Sequence, residues 1–155
     1  MNNKISKLKD SLILSSLVLM FGCKMPAFVS EVNYVPLSHE NIELNKLGNG
    51  RVLFVNGDYY CPIITCGKLN RINIKMGDTS FGQINYGEYF IVNIKKGVHE
   101  FSLEHKDVFK MSNVIELQID ENTKVISVSP KTFSNKMVIT NEIPPSFEYY
   151  KEVGS

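Results

Sequence analysis

The side chains best suited to covalent, metal or acid–base chemistry in this chain are three cysteines, three histidines and a few closely spaced carboxylates. Cys61 and Cys66, in YYCPIITCGK, can close a small disulfide loop in an oxidising compartment, or stay as two free thiols packed as small apolar groups. A zinc site needs about four ligands, and no histidine or second cysteine pair stands nearby in sequence, so no metal is expected. His99 and His105 share one face of a strand, but six residues at about 3.3 Å each hold them roughly 20 Å apart, too far to grip one ion. His99 follows the turn glycine Gly97 closely, and its expected role is to bond neighbouring backbone and fix that hairpin. Glu100 and Glu104 fall on the face opposite Phe101 and Leu103. Carboxylates there are ordinarily solvated, whereas a paired-carboxylate hydrolase needs one of them desolvated. Gly-x-Ser-x-Gly, His-Glu-x-x-His, Gly-x-x-x-x-Gly-Lys-Ser/Thr and Gly-x-Gly-x-x-Gly are all missing from the sequence, and nothing in it points to a cofactor.

The third cysteine has a different setting. Lys4, Lys7 and Lys9 precede the apolar run Ser11 to Gly22, which ends at Cys23. A bilayer-spanning helix needs about 20 apolar residues, so this shorter run reads as an export leader. The residues Leu19-Met20-Phe21-Gly22-Cys23 resemble the lipobox of bacterial lipoproteins. The resemblance implies a diacylglycerol thioether on Cys23, cleavage between Gly22 and Cys23, and a fatty acyl group such as palmitate on the new amino terminus. Several acyl chains hold a protein to a membrane durably where one does not. An ordinary leader with an incidental cysteine, or an uncleaved anchor, are the alternatives. Lys24 rather than Asp follows the cysteine. By resemblance to known sorting signals, this points to the outer rather than the inner membrane, facing the periplasm.

Charge removes other partners. With 17 Lys and Arg against 16 Asp and Glu, the net charge of +1 gives no electrostatic footing for nucleic acid. Loss of Lys4, Lys7, Lys9 and Asp10 with the leader leaves one more acidic than basic group. No polybasic run remains to attract acidic headgroups, so membrane attachment is expected from the acyl chains. An envelope protein is the expected further partner, and the sequence leaves a small-molecule ligand open.

A chain of 155 residues that is 43% hydrophobic and 21% charged holds one domain with room for a tail. The expected organisation is a leader over 1–22, the lipidated cysteine and a tether over 23–48, a β-domain over 49–141 and a C-terminal tail over 142–155. Pro26 and Pro36 interrupt the tether, and LSHENIELNKLG reads as its one short helix, capped by Ser38 and ended by Gly48. Period-two alternation then predicts strands at 51–56, 71–76, 79–84, 88–94, 98–105, 113–119, 124–129 and 136–140. Turn residues lie between most of them. The fold class expected is all-β, an antiparallel β-sandwich of about seven or eight short strands.

Within that span, Gly77-Asp78, Phe81-Gly82-Gln83-Ile84, Gly87-Glu88-Tyr89-Phe90 and Lys96-Gly97-Val98-His99-Glu100-Phe101 stand in a fixed order. This pattern resembles small bacterial lipoproteins catalogued as a domain of unknown function, the 2846 group, over about residues 50 to 141. The resemblance implies a β-sandwich and an envelope location. It implies no chemistry, because that family has no established activity. Tyr59, Tyr60, Tyr86 and Tyr89 lie at or beside expected loops, with Tyr149 and Tyr150 in the tail. Such tyrosines serve recognition or simply cap the ends of a core. The expected function is a lipid-anchored envelope module that works by binding. A hydrolase of envelope polymers and a structural subunit of an envelope complex are the competing classes.

Overall fold

The computed structural model describes residues 25–36, 42–57, 71–106, 109–131, 133–145 and 147–154. Among the described residues nine strands build two packed sheets: β1 (Arg51–Asn56), β2 (Ile72–Met76), β3 (Thr79–Ile84), β4 (Glu88–Asn93), β5 (Gly97–Lys106), β6 (Lys110–Ile119), β7 (Val125–Lys131), β8 (Ser134–Ile139) and β9 (Lys151–Glu152). One sheet has the order β8-β7-β1-β4-β9 and the other β3-β2-β5-β6. Pairing is antiparallel except where β1 meets β7 and β4 meets β9. The expected all-β sandwich is therefore present, with all eight expected strands and a ninth from the C-terminal segment.

The core between the sheets follows from alternation. Phe101 and Leu103 of β5 and Ile72 and Ile74 of β2 face Val52 and Phe54 of β1, Phe90 and Val92 of β4, and Ile126 and Val128 of β7. Phe54 stacks on Phe90 at 5.0 Å and meets Phe81 edge-on at 5.8 Å, so aromatic contacts lock the centre. Each such buried side chain contributes about 1.5–3 kcal/mol. β1 and β4 do not alternate, because the five-stranded sheet is covered on both faces. Leu53, Val55, Tyr89, Ile91 and Val125 form a second apolar layer, packed by Val35, Ile42, Leu44, Leu47, Phe147 and Tyr150. A strand buried on both faces reads as a continuous apolar run, and RVLFVN and EYFIVN do so.

The covering segments differ from the expectation. Residues 25–36, read as a tether, are bound to the sandwich as a strap. Asn73 on the outer face of the four-stranded sheet donates through Nδ2 to the Pro26 carbonyl at 3.1 Å and accepts through Oδ1 from the Phe28 amide at 3.2 Å. Ser30 then bridges Phe81 at the β3 edge, and the Glu31 amide donates to the Ser80 carbonyl at 2.9 Å. Further along, Tyr34 stacks on Phe90 at 4.9 Å, and the Val35 amide donates to the Ile91 carbonyl at 2.8 Å. The strap thus passes from one outer face to the other across the open β3–β4 side. It fits where β3 bulges: Gly82 has φ +85°, and a Cβ there would lie 2.9 Å from the Tyr34 hydroxyl. Backbone pairing and an edge position override the tether-like composition.

In place of the expected helix, the described part holds a single 3-10 turn, Leu44–Lys46; residues 37–41 lie outside the described residues. Packing of Ile42 and Leu44 onto the second apolar layer decides this segment over its weak helical propensity. The C-terminal segment is no free tail either. Phe147 and Tyr150 pack into that layer, and Lys151–Glu152 pair with β4. Among the described residues no helix is long and apolar enough to cross a membrane.

Candidate functional site at the loop end

Strand directions sort the connections into two groups. At one end lie Gly48–Gly50, the β2–β3 turn at Gly77-Asp78, the β4–β5 turn and the β6–β7 turn. At the other end lie Gly57 and Arg71, which flank the 58–70 segment, together with the β3–β4 turn at Asn85–Gly87 and the β5–β6 and β7–β8 turns. This second end, which carries Tyr86 and His105, is termed the loop end.

Of the residues singled out from the sequence, Gly22, Cys23, Tyr59, Tyr60, Cys61 and Cys66 lie outside the described residues. Tyr86 sits in the β3–β4 turn, half-exposed, next to Gly87 at φ +75°. The Glu88 carboxylate holds that turn by accepting from the Asn85 amide and Nδ2, both at 2.8 Å. For Tyr89, read as standing beside a loop, the structure decides between recognition and core capping. Tyr89 belongs to β4, is 4% exposed and lies 5.0 Å from the Phe147 ring, so it caps the second apolar layer and offers no surface. Burial pushes its phenol pKa up, and the nearby Glu152 charge adds to the shift. Tyr149, 78% exposed, stands two residues before Lys151, whose register partner Glu88 lies at the loop end.

His99 and His105 occupy opposite ends of β5 and have separate tasks. His99 Nε2 lies 2.7 Å from the Lys95 carbonyl across the turn at Gly97, so it donates a proton there as expected, but the turn it holds carries the chain from one sheet to the other and is not a hairpin. His105 is 3% exposed, with Nδ1 2.7 Å from Asn135 Oδ1. Asn135 Nδ2 is committed as a donor to Asn113 Oδ1 at 2.7 Å and to the Leu103 carbonyl at 3.3 Å, so its Oδ1 must accept from His105. Nδ1 therefore carries the proton. Glu100 is exposed opposite Glu116, while Glu104 pairs with Lys110 at 2.7 Å. Among the described residues no three His, Cys, Asp or Glu side chains converge on one point that could hold a metal.

Sequence reading misses the features that shape the loop end. Phe109 at the β5–β6 turn is 70% exposed and Phe133 at the β7–β8 turn 82% exposed. Asn113 and Asn135 hold the two hairpins together, since Asn113 Nδ2 donates to the Asn135 carbonyl at 3.1 Å and the Asn135 amide to Asn113 Oδ1 at 3.1 Å. Lys106 lies directly opposite Lys110 in the first hairpin, and Lys131 and Lys136 flank the tip of the second. The available signal is an inward asparagine on each of two otherwise apolar strand faces, Asn113-x-Ile115-x-Leu117 and Asn135-x-Met137. No family model, curated protein or solved structure matches the chain.

Proposed function

We propose that this protein is a lipid-anchored, envelope-facing domain that acts by binding, through the loop end of its sandwich. The observation that carries this reading is the pair of exposed phenylalanines there, Phe109 and Phe133, on two hairpin tips held together by Asn113 and Asn135, with Tyr86 and Tyr149 at the other edge of the same end. Large apolar side chains presented to water from neighbouring turns cost solvation, and such groups mark contact surfaces when they cluster. The lipobox-like run ending at Cys23 supplies the anchor, and the resemblance to the uncharacterised lipoprotein group agrees with both fold and location. Fatty-acid probe labelling and membrane fractionation test the reading. Wild-type protein incorporates the probe and sediments with membranes, and Cys23→Ala loses the label and most of its sedimentation. A Cys23→Ala protein that labels and sediments like wild type rejects the anchor.

A further inference from the structure

The identity of the loop end's partner follows from where the chain enters the body and from what surrounds the two exposed phenylalanines. The strap runs antiparallel to β3, from Ser30 beside Phe81 back to Pro26 beside Asn73, so its amino-terminal direction is toward Asn85 and the loop end. Met25, next to Pro26, is buried, with 7% of its surface exposed. Cys23 is two residues further, a reach of no more than about 7 Å. An acyl chain on that sulfur therefore tethers the body by the Asn73 corner, one residue from the loop end of β2.

We propose that the loop end is itself a membrane-docking surface. Phe109 and Phe133 enter the headgroup and upper acyl region, and Lys106, Lys110, Lys131 and Lys136 face acidic headgroups. This rests on the lipid-anchored binding reading and names its partner. The two tips are held side by side by the Asn113–Asn135 hydrogen bonds, so they meet a flat surface as a pair. Four lysines flank them, against Glu104, which is paired with Lys110, and Asp107 in the connecting sequence. Aromatic tips ringed by basic side chains match the chemistry of an acidic interface, where apolar insertion and electrostatic attraction add. The chain as a whole is nearly neutral, so this basic ring is a product of the fold that brings two hairpins together.

The chain contains no tryptophan, so Phe109→Trp and Phe133→Trp each introduce a single reporter at a surface tip. Val98→Trp, at the opposite end of β5 and 57% exposed, is the reference. Each full-length variant is reconstituted into vesicles of phosphatidylcholine and phosphatidylglycerol, with and without brominated acyl chains. Emission from the F109W and F133W proteins is expected to shift to shorter wavelength and to be quenched by the brominated lipid, while emission from V98W is unaffected. Unquenched emission from both tip variants, in protein that sediments with the vesicles, overturns the proposal. So does a shift that appears without lipid and grows with protein concentration, which would place a second copy of the chain on this end. Labelling of Cys23 is read in the same preparations: quenching without labelling keeps the docking surface and rejects the anchor, and labelling without quenching does the reverse. In the Cys23→Ala chain, Lys106→Gln and Lys131→Gln are each expected to weaken vesicle binding about fivefold. Unchanged binding in both removes the lysines from the surface and overturns that part of the assignment.

Discussion

Asn113 and Asn135 bind each other three times across the seam between β6 and β8, through side chain to side chain at 2.7 Å and through two side chain to backbone bonds at 3.1 Å each. No ladder connects those two strands, which belong to different sheets. The pair closes one side of the sandwich with hydrogen bonds, as the strap closes the other. It also sets the spacing of the hairpin tips that carry Phe109 and Phe133.

The buried latch is therefore expected to be costly to break. Asn135→Ala leaves the buried His105 Nδ1 proton without its acceptor and takes the side-chain donor from Asn113 Oδ1, which keeps the Asn135 amide. Leaving a buried polar group unsatisfied costs about 1–3 kcal/mol, so urea unfolding should report a loss of about 3 kcal/mol. A loss below about 0.5 kcal/mol would mean that the latch holds nothing.

Gly82 is where β3 leaves room for the strap's Tyr34. Gly82→Ala forces a side chain into a positive-φ position and against the Tyr34 hydroxyl, at an expected cost of about 2 kcal/mol. Limited proteolysis should then cut within residues 25–36 faster than in wild type, while sites in β5 and β6 stay protected. Equal cleavage rates in the strap would show that it does not depend on this contact.

Phe147 covers the second apolar layer from the C-terminal side, against Tyr89 at 5.0 Å and Tyr150 at 5.2 Å. Phe147→Ala is expected to lose about 2 kcal/mol, below the usual cost for a large aromatic because the residue is only half-buried. Thermal melts of the two proteins provide the check.

Alkali should weaken the fold in a defined way. Burial raises the Tyr34 phenol, against a Ser30 hydrogen bond that lowers it and with the Glu88 charge adding to the rise; burial and then Glu152 raise Tyr89. Tyrosine in an unfolded chain ionises near about pH 10. The neutral phenols therefore stabilise the fold fully below about pH 10, and that contribution is lost as pH climbs through their higher folded values. Unfolding free energies measured from about pH 8 to about pH 11.5 should fall on the alkaline side, and the Tyr34→Phe, Tyr89→Phe double variant should flatten that fall. An unchanged slope would assign alkaline sensitivity to other groups.

How far the sequence discloses these features depends on which physical signal each one leaves. Strands with one wet face, such as β5 with Phe101 and Leu103 inward, print a period of two and are readable to within a few residues. The continuous runs of β1 and β4 also read as strands, but the reason for their continuity lies in distant segments. Those segments are illegible for a common reason. The strap is held largely by backbone groups and by Asn73, and backbone hydrogen bonding leaves no mark on residue type. Tyr89 reads correctly as part of a strand, but its burial is hidden, because the second apolar layer that covers it comes from distant segments. The basic ring at the loop end leaves no local signature, since Lys106 and Lys131 are far apart in sequence and come to one end only after folding. His99 is the exception among the candidate residues: a glycine turn two residues earlier is enough to indicate its bond to the backbone.

The strap gives the body a particular response to tension. Its bonds to Asn73, Ser80 and Ile91 lie crosswise to the chain direction and are spread over both sheets. A force applied at the amino-terminal end therefore meets the four-stranded sheet first, at Asn73 and Ser80, and the five-stranded sheet at Ile91, so both halves of the sandwich lie on its path.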